Sequence, residues 1–243
     1  MSTEQTCIQI HDVAKHYGNK AALEHISLDI QKDEIFGVLG PSGAGKTTLV
    51  KMIAGIDVAS SGYVDVLNQR MPRLSTMQHI GYMAQSDALY TELSAKHNLE
   101  FFAALFGLKG AASKQRMDEV MTLVNLSADL NKQVSQFSGG MRRRLSLAIA
   151  LLHSPAVLIL DEPTVGIDPV LRQSIWKELE RLSKNGTTIL VTTHVMDEAY
   201  KCHRLGMIRD GHLIAVGSPK KLMEQTNSET IEEAFLYYGG AES

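Results

Sequence analysis

The sequence predicts an α/β fold with a mixed core sheet, a small antiparallel sheet near the N-terminus and an inserted helical subdomain. Three observations predict it. Ile35–Leu39 is too apolar for a half-exposed strand and reads as a buried central one, and Val157–Leu160 and Thr187–Thr193 read as the second and third core strands. A glycine-rich stretch, residues 40–48, separates the first run from a helical pattern over Thr48–Ala54. Between residues 88 and 153 the apolar residues change from strand spacing to helix spacing.

Taken in order, Ile8, Ile10 and Val13 alternate with polar residues and predict a strand. Tyr17-Gly18-Asn19 is a turn, and Ala21–Ile30 is a second strand alternating around Leu23, Ile26 and Leu28. Gly55 is placed to end the helix over Thr48–Ala54. Tyr63–Leu67 is a short strand, and Ile80–Gln85 a strand running into the loop Gln85-Ser86-Asp87. Ser94 can cap a helix with Leu99, Phe102, Ala103 and Phe106 on one face, ending at Gly107. Ser113 can cap another, facing inward with Met117, Val120, Met121 and Val124. Pro169–Ser183 is a helix closed by Asn185-Gly186. Leu205–Arg209 and His212–Val216 form a hairpin around Asp210-Gly211, a dipeptide suited to a two-residue turn.

The 243 residues suit one domain, 1–243, with a helical subdomain at about 88–153 and a short tail at 218–243. A formal net charge of -3 argues against a nucleic-acid surface. Cys7 and Cys202 lack ligand spacing and read as reduced cytosolic thiols, and the nine histidines are scattered. The polar stretch Met1–His11 is not a signal peptide. The most apolar stretch, Leu145–Leu160, is interrupted by Ser146, His153, Ser154 and Pro155, so no segment is expected to span a bilayer. Arg142-Arg143-Arg144 is expected to be a solvated helix face.

Gly40-Pro41-Ser42-Gly43-Ala44-Gly45-Lys46-Thr47-Thr48 fits the phosphate-binding pattern G-x-x-x-x-G-K-[ST] in its strand–loop–helix setting. The fold predicted is therefore a P-loop NTPase core. The glycines let backbone N–H groups converge on one anion, and the following helix adds its unpaired N–H groups and positive dipole end. Lys46 can reach the β- and γ-phosphates, and Thr47 can offer a hydroxyl to Mg²⁺. Four apolar residues followed by Asp161-Glu162 put one carboxylate toward the metal and the next toward an attacking water. Ser138-Gly139-Gly140 precedes the helical run Arg142–Leu152 and makes a second anion-binding end. A second such device beside a single P-loop suggests use in trans.

The P-loop, Gln85, Ser138–Gly140, Asp161-Glu162, Gly166-Ile167-Asp168 and His194 occur in an order that resembles the nucleotide-binding subunits of ABC transporters, along nearly the whole chain. The resemblance implies an ATPase using ATP and Mg²⁺. It also implies a head-to-tail dimer, each ATP held between one subunit's P-loop and the other's signature serine and glycines. It implies that Tyr17 stacks on adenine, Gln85 touches Mg²⁺ and water, Asp168 contacts the opposite subunit and His194 contacts the γ-phosphate. Asp168 can also cap the helix that begins at Pro169, and the remaining positions have plain structural readings as well. The aromatic set Tyr90, Phe101, Phe102 and Phe106 divides between subdomain core and a groove where the family docks its membrane partner.

Two positions depart from the family's usual pattern. The signature ends in Met141 where glutamine is usual, and Val165-Gly166 stands where many members have Ser-Ala or a similar pair. Both variants resemble the single-domain ATPases of ABC-2-type exporters of drugs, antimicrobial peptides or lipids. The expected function is ATP hydrolysis driving a separate transmembrane permease. The subunit would act as a homodimer, peripheral on the cytoplasmic face of the cell membrane. The rival is a soluble ABC ATPase acting on DNA, ribosomes or iron–sulfur assembly; members of the first kinds usually carry long coiled coils or tandem units, absent here. A P-loop kinase or GTPase would leave Ser138–Gly140 and His194 unexplained.

Overall fold

Two long strands, β1 (Thr6–Tyr17) and β2 (Lys20–Gln31), open a computed structural model that describes residues 5–240. Residues 1–4 of the polar N-terminal stretch and 241–243 of the tail lie outside the described residues. β1 and β2 pair antiparallel, with Tyr17 opposite Lys20 across the Gly18-Asn19 turn. β1 runs past Val13, where the sequence alternation breaks, because register shifts between Ile10 and Lys15 absorb the extra residues. β4 (Ser61–Val66) and a two-residue β5 (Gln69–Arg70) complete an antiparallel sheet in the order β2-β1-β4-β5.

The core sheet is six-stranded. It contains β3 (Ile35–Leu39), β6 (Ile80–Met83), β7 (Val157–Asp161), β8 (Thr188–Thr193), β9 (Arg204–Arg209) and β10 (His212–Gly217), in the order β10-β9-β3-β8-β7-β6. β9 and β10 pair antiparallel; every other neighbouring pair is parallel. Alternation along the buried strands divides the core. Phe36, Val38, Ile159 and Leu190 pack with helix α1 (Lys46–Ile53) and the antiparallel sheet. Ile35, Leu39, Leu158, Leu160, Ile189 and Val191 pack in the other cluster, with α5 (Gly139–Leu151) and α6 (Pro169–Lys184).

Between β6 and β7 the chain forms α3 (Ala95–Leu105), α4 (Gly110–Leu123) and α5. Ser94 caps α3, its hydroxyl accepting from the His97 N–H, and Leu99 and Ala103 are buried as predicted. α4 starts before the predicted cap: the Ser113 N–H already donates to the Lys109 carbonyl, so Ser113 lies inside the first turn. Met117, Val120, Met121 and Val124 nevertheless face the core.

The single-turn helices α2 (Leu74–Met77) and α7 (Met196–Ala199) are too short to leave a sequence period. The tail carries α8 (Pro219–Thr226) and α9 (Ile231–Tyr238), capped by Ser218 and Thr230; Leu222, Ile231, Ala234 and Phe235 join the core. Among the described residues, no helix is long and apolar enough to cross a membrane.

Candidate nucleotide-binding site

Four parallel neighbours, β3, β8, β7 and β6, end along one edge of the sheet. Leu39 is level with Thr193, Asp161 with Thr192, and Met83 with Leu160. The phosphate loop, His194, Asp161-Glu162 and Gln85 follow these ends, at the edge where open α/β sheets bind ligands. α1 takes up the loop directly, with Gly45 as its N-cap at φ +107. A Cβ there would lie 2.5 Å from a Leu23 methyl, and one at Gly40 would lie 2.2 Å from the Ile208 carbonyl oxygen. Both sites exclude a side chain and keep the backbone closely packed. Lys46 and Thr47 are the first residues of α1, which starts two residues earlier than the predicted Thr48.

Glu162 is the meeting point of three motifs. Its Oε1 lies 3.6 Å from Lys46 Nζ and 3.1 Å from His194 Nδ1, while Gln85 Nε2 donates to its Oε2 at 3.3 Å. The Glu162 side chain is 11 % exposed. Lys46 Nζ also donates to the carbonyls of Gly40 (2.8 Å) and Pro41 (3.0 Å). Burial pushes the Lys46 ammonium down from its ordinary range, against the pull of Glu162 and Asp161. Glu162 has a left-handed backbone, φ +52, a conformation costing a non-glycine residue of order 1–3 kcal/mol. Its N–H is fixed by the Thr192 carbonyl and hydroxyl.

Asp161 is fully buried beside it. Its Oδ1 accepts from the Thr192 hydroxyl, while its Oδ2 has no hydrogen-bond partner. A buried carboxylate oxygen without a donor suits a cation. Among the described residues no group of three or more His, Cys, Asp or Glu is arranged to hold a metal. Mg²⁺ would take one or two carboxylates, such as Asp161, together with substrate phosphates.

The remaining predicted residues lie farther out. Tyr17, at the end of β1, is 51 % exposed, and its hydroxyl donates to Asp57 at 2.6 Å. That bond pushes the phenol up; the Lys15 ammonium, and after it the Tyr17 hydroxyl, hold the Asp57 carboxyl at about 2. Ser138 caps α5, accepting from the Met141 N–H at 3.2 Å, and Asp168 caps α6, accepting from the Leu171 N–H at 3.0 Å. Met141 thus serves the cap through its backbone alone. Among the described residues, no hydrogen bond joins Ser138, Gly139 or Asp168 to Lys46, Glu162 or His194 within the chain.

The expectation of a solvated Arg142-Arg143-Arg144 face is corrected at Arg143, which is 6 % exposed. Its guanidinium donates to the carbonyls of Ala84 (2.7 Å), Gln85 (2.8 Å), Asp161 and Glu162 (2.6 Å). Burial pushes its pKa down, opposed by Asp87, Asp161 and Glu162. Arg144 also turns inward, to the Val124 and Asn125 carbonyls. A signal was present in the sequence: Arg143 is in phase with Leu147, Ala150 and Leu151 along α5, the buried stripe of a helix.

The aromatic set separates. Tyr90 and Phe101 are exposed, whereas Phe102 and Phe106 line a cavity of ≈ 180 Å³ with Tyr82 and His153. Phe106 stacks on His153 at 3.7 Å between ring centroids. A much wider cleft, ≈ 1230 Å³, lies between α4 and α6, lined by charges including Arg116, Glu119, Glu178 and Arg181. The phosphate-binding motifs are elsewhere, at the strand ends.

The family described as ABC transporter matches residues 23–165. The chain is 38% identical over 239 residues to the "Probable multidrug ABC transporter ATP-binding protein YbhF" of Escherichia coli (strain K12), covering 96% of this chain and 41% of that protein. The chain therefore spans less than half the length of that relative. It is 38% identical over 240 residues to the "Linearmycin resistance ATP-binding protein LnrL" of Bacillus subtilis (strain 168), covering 94% of this chain and 77% of that protein. Among solved structures, a dimeric ATP-binding cassette bound to ADP and Pi in a post-hydrolysis state superposes with a TM-score of 0.81 at 27% identity, over 87% of this chain and 98% of that one. Strand-end geometry, the P-loop and these similarities agree: the chain belongs to the ABC transporter family, as one of its ATP-binding cassettes.

Proposed function

We propose that the chain is the ATP-hydrolysing subunit of an exporter, driving a separate transmembrane permease from the cytoplasmic face of the membrane. The observation that carries the reading is the convergence of Lys46, Gln85 and His194 on Glu162 at the end of β7. The names of the relatives, multidrug transport and linearmycin resistance, favour export of drug-like or antibiotic cargo over work on ribosomes, DNA or iron–sulfur clusters. On this reading residues 1–243 form one ABC ATPase domain, with a helical subdomain at about 88–153 and a short tail at 218–243.

ATP would lie along residues 40–48 with its adenine against Tyr17. Lys46 would give its charged hydrogen bonds to the β- and γ-phosphates. Thr47, Asp161 and Gln85 would hold Mg²⁺, which neutralises the charge building on the transferred phosphoryl group. Glu162 takes the proton of the attacking water as its oxygen bonds to the γ-phosphorus, while the bridging oxygen leaves with ADP. His194 donates to the γ-phosphate and keeps the Glu162 carboxylate turned toward the water. Ser138, Gly139 and Gly140 would close on the ATP of a second copy, with Asp168 at the seam. Closure on ATP and reopening after hydrolysis would be the strokes passed to the permease.

The experiment is co-purification from membranes followed by ATP turnover of the complex with Mg²⁺. A hydrophobic partner and turnover that responds to it are expected. A ribosomal or cluster-assembly partner would replace this reading with its rival.

A further inference from the structure

One buried carboxylate lies outside the nucleotide motifs and holds the ends of two of them. Glu198 is on α7, four residues after His194, and is 2 % exposed. Its Oε1 accepts from the Thr164 hydroxyl and its Oε2 from the Thr193 hydroxyl at 2.7 Å. Both threonines are buried. Thr193 immediately precedes His194, and its oxygen also accepts from the Val195 N–H at 3.0 Å. The backbone on either side of His194 is therefore pinned through one hydroxyl. Thr164 lies two residues after Glu162, in a segment closed on itself by Val165 N–H to the Glu162 carbonyl and Ile167 N–H to the Thr164 carbonyl. That segment leads directly to Asp168.

We propose that Glu198 is a positioning residue that couples the segment Thr164–Asp168 to His194, so that contact with a second copy at Asp168 sets the imidazole that faces Glu162. The proposal rests on the roles given above to Asp168, His194 and Glu162. The physical reason is rigidity. A buried carboxylate with both oxygens bonded to buried hydroxyls cannot move one partner without moving the other or leaving a polar group unpaired, which is costly. A displacement at the seam therefore reaches His194 through two hydrogen bonds.

The test uses the full-length protein with ATP and Mg²⁺. Glu198→Gln keeps the shape but replaces one accepting oxygen by a donor. Expected are a kcat lowered about tenfold or more by loss of alignment and unchanged ATP affinity in a protein that still folds. The cooperativity of turnover with ATP concentration should fall toward that of independent sites. Thr193→Val, which removes the arm to Glu198 together with the Val195 N–H contact, should lower kcat and cooperativity likewise, at some cost in melting temperature, and guards against a Glu198→Gln protein that fails to fold. Turnover and cooperativity equal to wild type, with only a lowered melting temperature, would make Glu198 a packing residue and overturn the proposal. Glu162→Gln run in parallel separates the two levels. If it hydrolyses ATP normally, the site assignment fails; if it is silent beside a fully active Glu198→Gln, only the coupling fails.

Discussion

Nδ1 of His194 lies 3.1 Å from Oε1 of Glu162, and the two residues follow neighbouring parallel strands, β8 and β7. The register places Thr192 opposite Asp161, so each chain end leaves the sheet one step further on. The left-handed turn at Glu162 brings its carboxylate back across the strand ends toward Lys46 and Gln85. A strained residue held by the Thr192 oxygens and met by three of the predicted site residues has the form that a preorganised site requires.

Lys46 is the first test of that site. Lys46→Ala removes the charged donor expected to meet the transferred phosphate. ATP turnover should fall to background while the circular dichroism spectrum and melting curve remain those of a folded protein. Near-normal turnover by the folded variant would remove the P-loop from the mechanism.

Arg143 is expected to matter for stability as well as rate. Arg143→Met takes the guanidinium donor from the carbonyls of residues 84, 85, 161 and 162, of which the last keeps the Val165 N–H. The expected loss is about 2–4 kcal/mol in denaturant unfolding, with slower turnover in what stays folded. Arg143→Lys, a point charge without the fork, should recover only part. A variant as stable as wild type would mean the carbonyls find water instead.

His153 predicts a pH dependence. Burial against Phe106, helped by the Arg116 charge and opposed by the bond to the Ile80 carbonyl, pushes its imidazole down from 6.5 to about 4. The unfolded chain therefore binds a proton that the folded one refuses. Stability is full above pH 6.5 and falls as pH drops toward 4, by up to about 3 kcal/mol. Glu34, whose carboxyl burial pushes up, changes stability in the opposite sense, losing it as pH rises above 4.5. Subtracting the pH–stability curve of His153→Gln from wild type cancels Glu34 and isolates the histidine. Parallel curves between pH 4 and 6.5 would contradict the assignment.

Phe101 is, with Tyr90, an exposed member of the aromatic set, at 40 %. Phe101→Ser should leave ATP turnover of the isolated subunit unchanged and lower its stimulation by the permease. A lowered melting temperature with equal loss of both activities would show a core residue instead.

Much of this arrangement was legible in the sequence, for identifiable reasons. Strands β3, β7 and β8 are apolar on both faces, and the P-loop and Asp161-Glu162 are short motifs tied to strand ends. The alternation around Leu23, Ile26 and Leu28 and the helical faces of α3 and α4 reflect burial directly. What escaped were features made by tertiary contact. Arg143 reads as one of three charges until the fold supplies four carbonyls to it. The bulges that lengthen β1, the single turns α2 and α7, and the packing of α8 and α9 have no local period strong enough to read. Thr192 and Glu198 are ordinary residue types whose roles arise only from which strands lie side by side.

The central claim is that Glu162 activates water in an ATP site completed by a second copy. Glu162→Gln keeps size and hydrogen bonding but loses the charge that takes the proton. With hydrolysis slowed and binding intact, ATP should bridge Lys46 of one subunit and Ser138 of the other, and the closed dimer should accumulate. The measurement is the size of Glu162→Gln in solution with ATP and Mg²⁺, by chromatography with light scattering. A shift from monomer to dimer is predicted, abolished when Ser138→Arg is added. A Glu162→Gln protein that binds ATP but stays monomeric, or that hydrolyses ATP at the wild-type rate, would contradict the account.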